Sequence, residues 1–139
     1  MPEIPDRINI DTGDWGLYNN LDQEEMMRHK GGGRTRKEQF LVAMAIGFKN
    51  NVRRPLKTKR DFFLTKDLRS EDETLLNAVA VHATDSVEVL SDREEVFKIA
   101  EEYAHAGIRL LVDRMDSLSH GSFEKQFEKE LYEIYKKLG

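Results

Sequence analysis

Apolar residues recur at steps of three or four along one long stretch in the second half of the chain. The stripe runs through Val96, Ala100, Tyr103, Gly107, Leu111, Met115 and Leu118. An α-helix, with 3.6 residues per turn, places such positions on one face. A capping box, Ser91 followed three residues later by Glu94, precedes the stripe and predicts where the helix begins. Glycine costs about 1 kcal/mol relative to alanine inside a helix, so Gly107 predicts the close approach of another helix.

Two more capping boxes predict two more helices. Thr35 with Glu38 opens an apolar helix that should end near Asn50-Asn51. Ser70 with Glu73 opens a helix through residues 75–83, whose side chains are apolar nearly all round. That composition is typical of a buried helix, so we expect this one to be the most buried.

Two weaker patterns complete the set of predicted helices. Residues 21–29 are expected to form a short helix, ended by Gly31-Gly32-Gly33. A last helix is expected from about Ser122 to Leu138. Its apolar stripe consists of Phe123, Phe127, Leu131, Ile134 and Leu138.

Together these patterns predict an all-α protein, an irregular bundle of about five helices. Residues 62–64 and 87–89 are candidates for one or two very short strands. A chain of 139 residues fits one domain. Residues 1–20 have two prolines, two glycines and no sustained period, so we expect an extended N-terminal arm. The single helical domain should then comprise residues 21–139.

Composition limits the classes of protein to which the chain can belong. Cysteine is absent, which excludes disulfides, thiolate zinc sites and cysteine nucleophiles. The N-terminus lacks a basic region followed by an apolar one, so no signal peptide is expected. The longest apolar run, residues 40–47, is far shorter than the roughly 20 residues of a membrane span. We therefore expect a soluble, cytoplasmic protein without membrane contact.

The charges are unevenly distributed along the chain. Residues 28–60, here called the basic segment, hold eleven basic side chains and one acidic side chain, Glu38, although the whole chain has a net charge of −4. Such a segment predicts a basic surface that attracts phosphate backbones. The residues expected to contact nucleic acid are Arg34, Arg36, Lys37, Lys49, Arg53, Arg54, Lys57, Lys59 and Arg60. The alternative is that these cations pair with the chain's own acidic flanks or with an acidic partner protein.

Patterns for catalysis, metals and cofactors are missing from the sequence. Glu102 and His105 form one Glu-x-x-His pair, whereas a di-iron bundle needs two such pairs and two further glutamates. There is no Gly-x-Ser-x-Gly, no His-Glu-x-x-His and no P-loop. We therefore expect a protein without catalytic residues, metal or cofactor. A hydrolase remains possible only if Asp61, Asp67, Glu101 and Glu102 converge in three dimensions.

Two stretches resemble a known family. Residues 40–48, followed by Lys49, Arg53-Arg54 and Pro55-Leu56, resemble a motif of small accessory proteins associated with DNA phosphorothioation (dnd) systems. In that family an apolar helix ends in glycine and an aromatic residue, before a basic turn. Residues 97–107 resemble the family's Glu-Glu-Tyr-Ala motif, although His105-Ala106-Gly107 stands where Asn-Gly-Gly is expected. The resemblance spans about residues 36–115.

The resemblance implies a companion of DNA-modification and restriction genes, with no defined activity of its own. With the basic segment, it predicts a non-enzymatic accessory protein that contacts nucleic-acid phosphates or a protein complex bound to DNA. The alternative is a protein–protein adaptor or homodimer, with no nucleic-acid contact, that uses the apolar stripes of the last two helices.

Overall fold

The computed structural model describes residues 5–23, 28–29, 32–33, 35–117 and 120–138, with side-chain surroundings over 5–21, 35–115 and 128–138. Within these residues the chain forms five α-helices: Trp15–Gln23 (α1), Arg36–Lys49 (α2), Ser70–Thr84 (α3), Arg93–Ser117 (α4) and His120–Leu138 (α5). The strands are Arg7–Asp11 (β1), Arg28–His29 (β2), Gly32–Gly33 (β3) and Lys59–Leu64 (β4). The predicted irregular bundle of about five helices with very short strands is confirmed.

The crossing of α2 and α4 forms the centre of the fold. A Cβ atom on Gly107 would lie 1.8 Å from the Ala43 carbonyl oxygen, and one on Gly47 would lie 2.1 Å from the Tyr103 carbonyl oxygen. The two backbones are therefore in direct contact, and the predicted close approach at Gly107 is confirmed.

The most buried helix is α2. Each residue from 39 to 47 is buried, because α4, α5 and β4 all pack against α2. In α3, by contrast, the buried residues are Asp72, Leu75, Leu76, Val79 and Ala80. The prediction that α3 is the most buried helix is wrong, since one face of α3 remains at the surface despite its apolar sequence.

Only the first of the three predicted capping boxes lies where expected. The Thr35 hydroxyl oxygen accepts a hydrogen bond from the Glu38 amide at 3.2 Å, and α2 begins at the next residue. At α3, Asp72 instead accepts from the Arg69 amide at 2.9 Å. At α4, Asp92 caps the helix by accepting from the Glu95 amide at 3.1 Å. The predicted boxes at Ser70 and Ser91 are wrong by one residue, because Asp72 accepts in place of Glu73 at α3 and Asp92 accepts in place of Ser91 at α4.

The N-terminal region differs from the sequence prediction in its secondary structure. Strand β1 pairs antiparallel with β4, and its register shifts between Ile8 and Asn9. Residues 15–23 form α1, so the bounds predicted for a helix over 21–29 are wrong: the helix begins at Trp15, and Arg28–His29 lies in a strand. Residues 24–27 of that prediction lie outside the described residues. Ile8, Ile10 and Tyr18 are buried in the same hydrophobic cluster as the helices. The division into an arm over 1–20 and a domain over 21–139 stays a prediction.

The two candidate strands have different outcomes. Residues 62–64 belong to β4, as predicted, whereas Val87–Ser91 forms a 3-10 helix. No partner strand lies beside that segment in the described residues, because β1 with β4 and β2 with β3 are the pairs there.

Helix α5 packs on α2 and α3 through its last turns. Ile134 is buried, and Leu131 and Leu138 pack against the core. The predicted stripe residues Leu118, Phe123 and Phe127 lie outside the residues whose side chains are described. Within the described part of the chain, no helix has the length and apolar character needed to cross a membrane.

Candidate nucleic-acid interface

Three of the predicted cations form ion pairs with the protein itself. The Lys37 ammonium lies 2.9 Å from Asp72, and the Arg53 guanidinium lies 3.3 Å from Glu102. Lys49, the last residue of α2, lies 3.3 Å from the carboxylate of Glu130 and 3.5 Å from that of Glu133, both on α5. For these three residues the internal pairing considered from the sequence is the observed state.

Five other cations are exposed and make no ion pair with the described residues. They are Arg36, Arg54, Lys57, Lys59 and Arg60, here called the exposed cations. Four of them lie on the loop over residues 52–58 and the start of β4, and Arg36 begins α2. Arg34 lies outside the described residues. The predicted binding residues that the structure describes therefore form two groups: three cations paired with the chain's own carboxylates, and the five exposed cations.

An aromatic ring lies between two of the exposed cations. The guanidinium carbon of Arg60 is 3.6 Å from the centre of the Trp15 ring, and that of Arg36 is 4.6 Å from it. Arg36 also donates a hydrogen bond to the Phe62 carbonyl oxygen at 3.3 Å. These contacts hold both guanidinium groups at the surface without neutralising their charge.

The loop over residues 52–58 is held in place by buried carboxylates. Asp11 accepts hydrogen bonds from the amides of Lys57 at 2.7 Å and Thr58 at 3.4 Å. Glu102 pairs with Arg53, and its carbonyl oxygen accepts from the Arg54 amide at 3.2 Å. The backbone that carries Arg54 and Lys57 is thus held by Asp11 and Glu102.

The ionisation of Asp11 suits this role. Burial raises the pKa of this carboxyl, but amide donors at Gly13, Lys57 and Thr58, with the His105 charge, outweigh burial and hold the pKa below its ordinary value. Asp11 therefore remains a charged acceptor at neutral pH, and charge-assisted hydrogen bonds are the stronger kind.

A second carboxylate pairs with the histidine of α4. Asp14 is fully buried, and its side chain lies 2.5 Å from His105 Nδ1 and 3.3 Å from Arg109. Desolvation by burial raises the pKa of Asp14, although His105 and Arg109 both oppose the rise. This cluster joins the turn after β1 to the middle of α4.

Glu101 lies beside that cluster and has a strongly shifted pKa. It accepts a hydrogen bond from the Asn9 amide at 2.7 Å. Burial raises its pKa from 4.5 to about 7, despite opposing contributions from Asn9 and Lys59. Glu101 is thus a buried carboxyl that titrates near neutral pH.

A protein-family comparison places the chain in a known family. The sequence profile of the family described as DNA sulphur modification system-associated protein 4, a dnd-associated family, matches residues 7–130. The chain belongs to this family. No curated protein and no solved structure matches the chain.

Membership in the DNA sulphur modification system-associated protein 4 family extends the resemblance seen in the sequence. The matched span begins at Arg7 and thus includes β1, α1 and the carboxylates Asp11 and Asp14, which the resemblance over residues 36–115 left out. It also includes the first half of α5.

Sequence reasoning missed Asp11, Asp14 and the surface role of Trp15. The run Asp11-Thr12-Gly13 carried a local signal, because Asp commonly accepts a hydrogen bond from the amide two residues later, as Asp11 does from Gly13 at 2.9 Å. No local pattern indicates the partner of Asp14, since His105 is 91 residues away.

The carboxylates considered for a hydrolase differ in their exposure. Asp61 and Asp67 are exposed, whereas Glu101 and Glu102 are buried in α4. Among the described residues, no group of three or more His, Asp or Glu side chains is placed to hold a metal ion.

Proposed function

We propose that this member of the DNA sulphur modification system-associated protein 4 family is a non-enzymatic accessory protein that contacts nucleic-acid phosphates through its exposed cations. The observation that carries the proposal is a set of five exposed cations that make no ion pair with the described residues, two of them, Arg54 and Lys57, on a loop held by contacts with Asp11 and Glu102. The family's association with a DNA sulphur modification system supports a DNA-bound setting, in which the partner is DNA or a protein complex on it.

The roles of the predicted binding residues differ in this proposal. Arg36, Arg54 and Arg60 have the planar guanidinium that suits bidentate contact with phosphate, and Lys57 and Lys59 add point charges. Lys37, Lys49 and Arg53 stabilise the fold through their ion pairs instead. The chain's overall net charge is −4, so the attraction has to come from a local concentration of cations.

The number of contacts sets the expected salt dependence. Each neutralised phosphate of duplex DNA contributes a slope of about −0.9 to the plot of log affinity against log salt. Contact by all five exposed cations therefore predicts a slope of about −4.5 and a loss of affinity of about 500-fold between 50 and 200 mM salt.

The proposal is tested by fluorescence-polarisation titration of labelled duplex and single-stranded DNA at several salt concentrations. The test variant is Arg54→Gln/Lys57→Gln/Lys59→Gln. The control is Lys98→Gln/Lys136→Gln/Lys137→Gln, which removes three exposed charges from α4 and α5. We expect the test variant to lose most of the affinity and the control to keep it.

Two outcomes contradict the proposal. Absence of binding by the unmodified protein at 20 mM salt would exclude direct phosphate contact. An equal loss of affinity in both triple variants would show attraction by net charge alone, without a defined surface.

A second candidate function is a protein–protein adaptor or homodimer. From Val96 to Met115 the apolar stripe of α4 is buried within the chain, so this part is not free for a partner. Tyr132 and Tyr135 of α5, however, are 68% and 48% exposed. Light scattering of the unmodified protein and of Tyr132→Ser/Tyr135→Ser tests this: a dimer that dissociates in the variant would favour the adaptor.

A further inference from the structure

A cleft at the start of α2 is lined by arginines from three separate elements. Arg7 reaches it from β1, Arg36 from the first turn of α2, and Arg69 from the residue that precedes α3. Its volume is about 530 Å³. Arg7 and Arg69 lie outside the basic segment, so no charge pattern in the sequence indicated this site.

The three arginines retain most of their capacity to bind an anion. Arg36 and Arg69 make no ion pair with the described residues. Arg7 lies 3.7 Å from Asp61, but both side chains are about half exposed or more, and pairs of this kind contribute little. Lys37 also lines the cleft, where its charge is matched by Asp72.

The remaining wall of the cleft is partly apolar and partly acidic. Phe63 and Leu64 supply half-buried apolar surface, and Glu38 and Asp67 supply two carboxylates. Glu38 is already engaged with the Thr35 hydroxyl at 3.2 Å. Three arginines, an apolar patch and two carboxylates thus line a space of the size that commonly holds a small organic ligand.

We propose that this cleft binds a nucleoside phosphate, with the phosphate on Arg7, Arg36 and Arg69 and the base against Phe63 and Leu64. Convergent guanidinium groups match the geometry of phosphate oxygens. A base has a flat apolar face that stacks on an aromatic side chain. The ligand is either a free nucleotide or one nucleotide of a single strand, since both offer the same chemistry.

The inference goes beyond the proposed function, because the cleft can be occupied whether or not the loop over residues 52–58 touches DNA. Isothermal titration calorimetry of the full chain tests it with four probes: adenosine 5′-monophosphate, inorganic phosphate, adenosine, and a 5′-phosphorylated thymidine tetranucleotide. We expect the monophosphate to bind at least about tenfold more tightly than inorganic phosphate or adenosine, because only it fills both halves of the cleft.

The variant Arg7→Gln/Arg69→Gln should weaken binding of the monophosphate at least about tenfold. Both side chains are exposed, so the fold should persist, and circular dichroism checks this. The single variant Arg69→Gln, which removes no ion pair to a described residue, repeats the test with less perturbation. The control Lys98→Gln/Lys136→Gln removes two exposed charges elsewhere and should bind as the unmodified protein does.

The affinities of the probes distinguish a free nucleotide from a single strand, and a further variant distinguishes this proposal from the proposed DNA contact. A tetranucleotide that binds more tightly than the monophosphate identifies a strand, whereas equal affinities identify a free nucleotide. Arg54→Gln/Lys57→Gln/Lys59→Gln should leave monophosphate binding unchanged. The nucleotide-binding proposal can therefore be contradicted while the DNA-binding proposal is supported, or the reverse. Unchanged affinity in Arg7→Gln/Arg69→Gln, or no binding of any phosphorylated probe at millimolar concentration, would overturn the inference.

Discussion

At the scale of single residues, two glycines set the distance between α2 and α4. A methyl group on Gly107 would overlap the Ala43 carbonyl oxygen, at 1.8 Å. The backbone cannot yield as a flexible side chain can, so the helices would have to separate. We predict that Gly107→Ala lowers the free energy of unfolding by about 1–3 kcal/mol or more, as overpacking does, measured by urea denaturation.

Gly16 in α1 is the matched control for that substitution. A methyl group there would meet no atom within 4 Å. Alanine is also the better helix former, so Gly16→Ala should leave the free energy of unfolding unchanged or raise it by up to about 1 kcal/mol. Equal losses in both variants would show that the helix crossing is not the sensitive point.

Glu101 should make stability fall between mildly acidic and neutral pH. Its pKa in the folded chain is about 7, above its ordinary 4.5, so the folded state holds a proton that the unfolded state releases. The stability it contributes is fully present below pH 4.5 and is lost as the pH rises through 7. We predict that Glu101→Gln removes this pH-dependent decrease in the free energy of unfolding, which at pH 8 amounts to at most about 3 kcal/mol.

The measurement is the midpoint of urea unfolding from pH 4 to pH 8. Glu128→Gln, at an exposed position on α5, serves as the control and should follow the pH profile of the unmodified protein. A profile for Glu101→Gln that parallels the unmodified protein would mean that another group causes the pH dependence.

At the scale of elements, the loop over residues 52–58 depends on β1 through Asp11. One oxygen of this carboxylate accepts from Lys57 and Thr58, and the other accepts from Gly13. Asn presents only one acceptor, so Asp11→Asn leaves at least one amide without a partner, at a cost of about 1–3 kcal/mol. We predict faster hydrogen exchange at the Lys57 and Thr58 amides, measured by NMR.

The control for the loop is Asp61→Asn on β4. Asp61 is 68% exposed and makes only a long contact with Arg7, so its loss should leave amide exchange in the loop unchanged. Protected Lys57 and Thr58 amides in Asp11→Asn would show that the loop is fixed by other contacts.

At the scale of the whole molecule, the N-terminal region and the helices share one core. Ile8, Ile10 and Tyr18 belong to the same buried cluster as α2 and α4. Trp15 is the single tryptophan, so its fluorescence reports on this region alone, whereas far-ultraviolet circular dichroism reports on all helices. We predict that thermal unfolding followed by the two signals gives coincident transitions.

The same experiment decides between one unit and two. A tryptophan transition at a lower temperature than the loss of helix would indicate an arm that separates from the domain over residues 21–139. Substitution of Ile10 by alanine should move both transitions together if the core is shared, because each buried methylene contributes to the same cooperative unit.

The sequence by itself determined most of the helical structure. Apolar spacing and the Thr35 cap act within one or two turns, so α2, α4 and α5 were predictable in place and type. The failures arose where local signals competed. Asp72 accepts in place of the expected Glu73, and Asp92 in place of the expected Ser91. The β-branched Val87 and Val89 found no partner strand. Residues 15–23 form a helix because Tyr18 and Leu21 are buried by the tertiary structure, which no short pattern revealed.

Only the tertiary structure decided which charges are available to a partner. The sequence concentrated eleven cations in residues 28–60, but whether a cation is paired depends on a carboxylate that is distant along the chain. Lys37 meets Asp72, and Lys49 meets Glu130 and Glu133. The buried positions of Asp11 and Asp14, and the convergence of Arg7, Arg36 and Arg69 on one cleft, have the same origin. Burial and ion pairing join residues from separate elements, and a pattern along the sequence contains no distance between them.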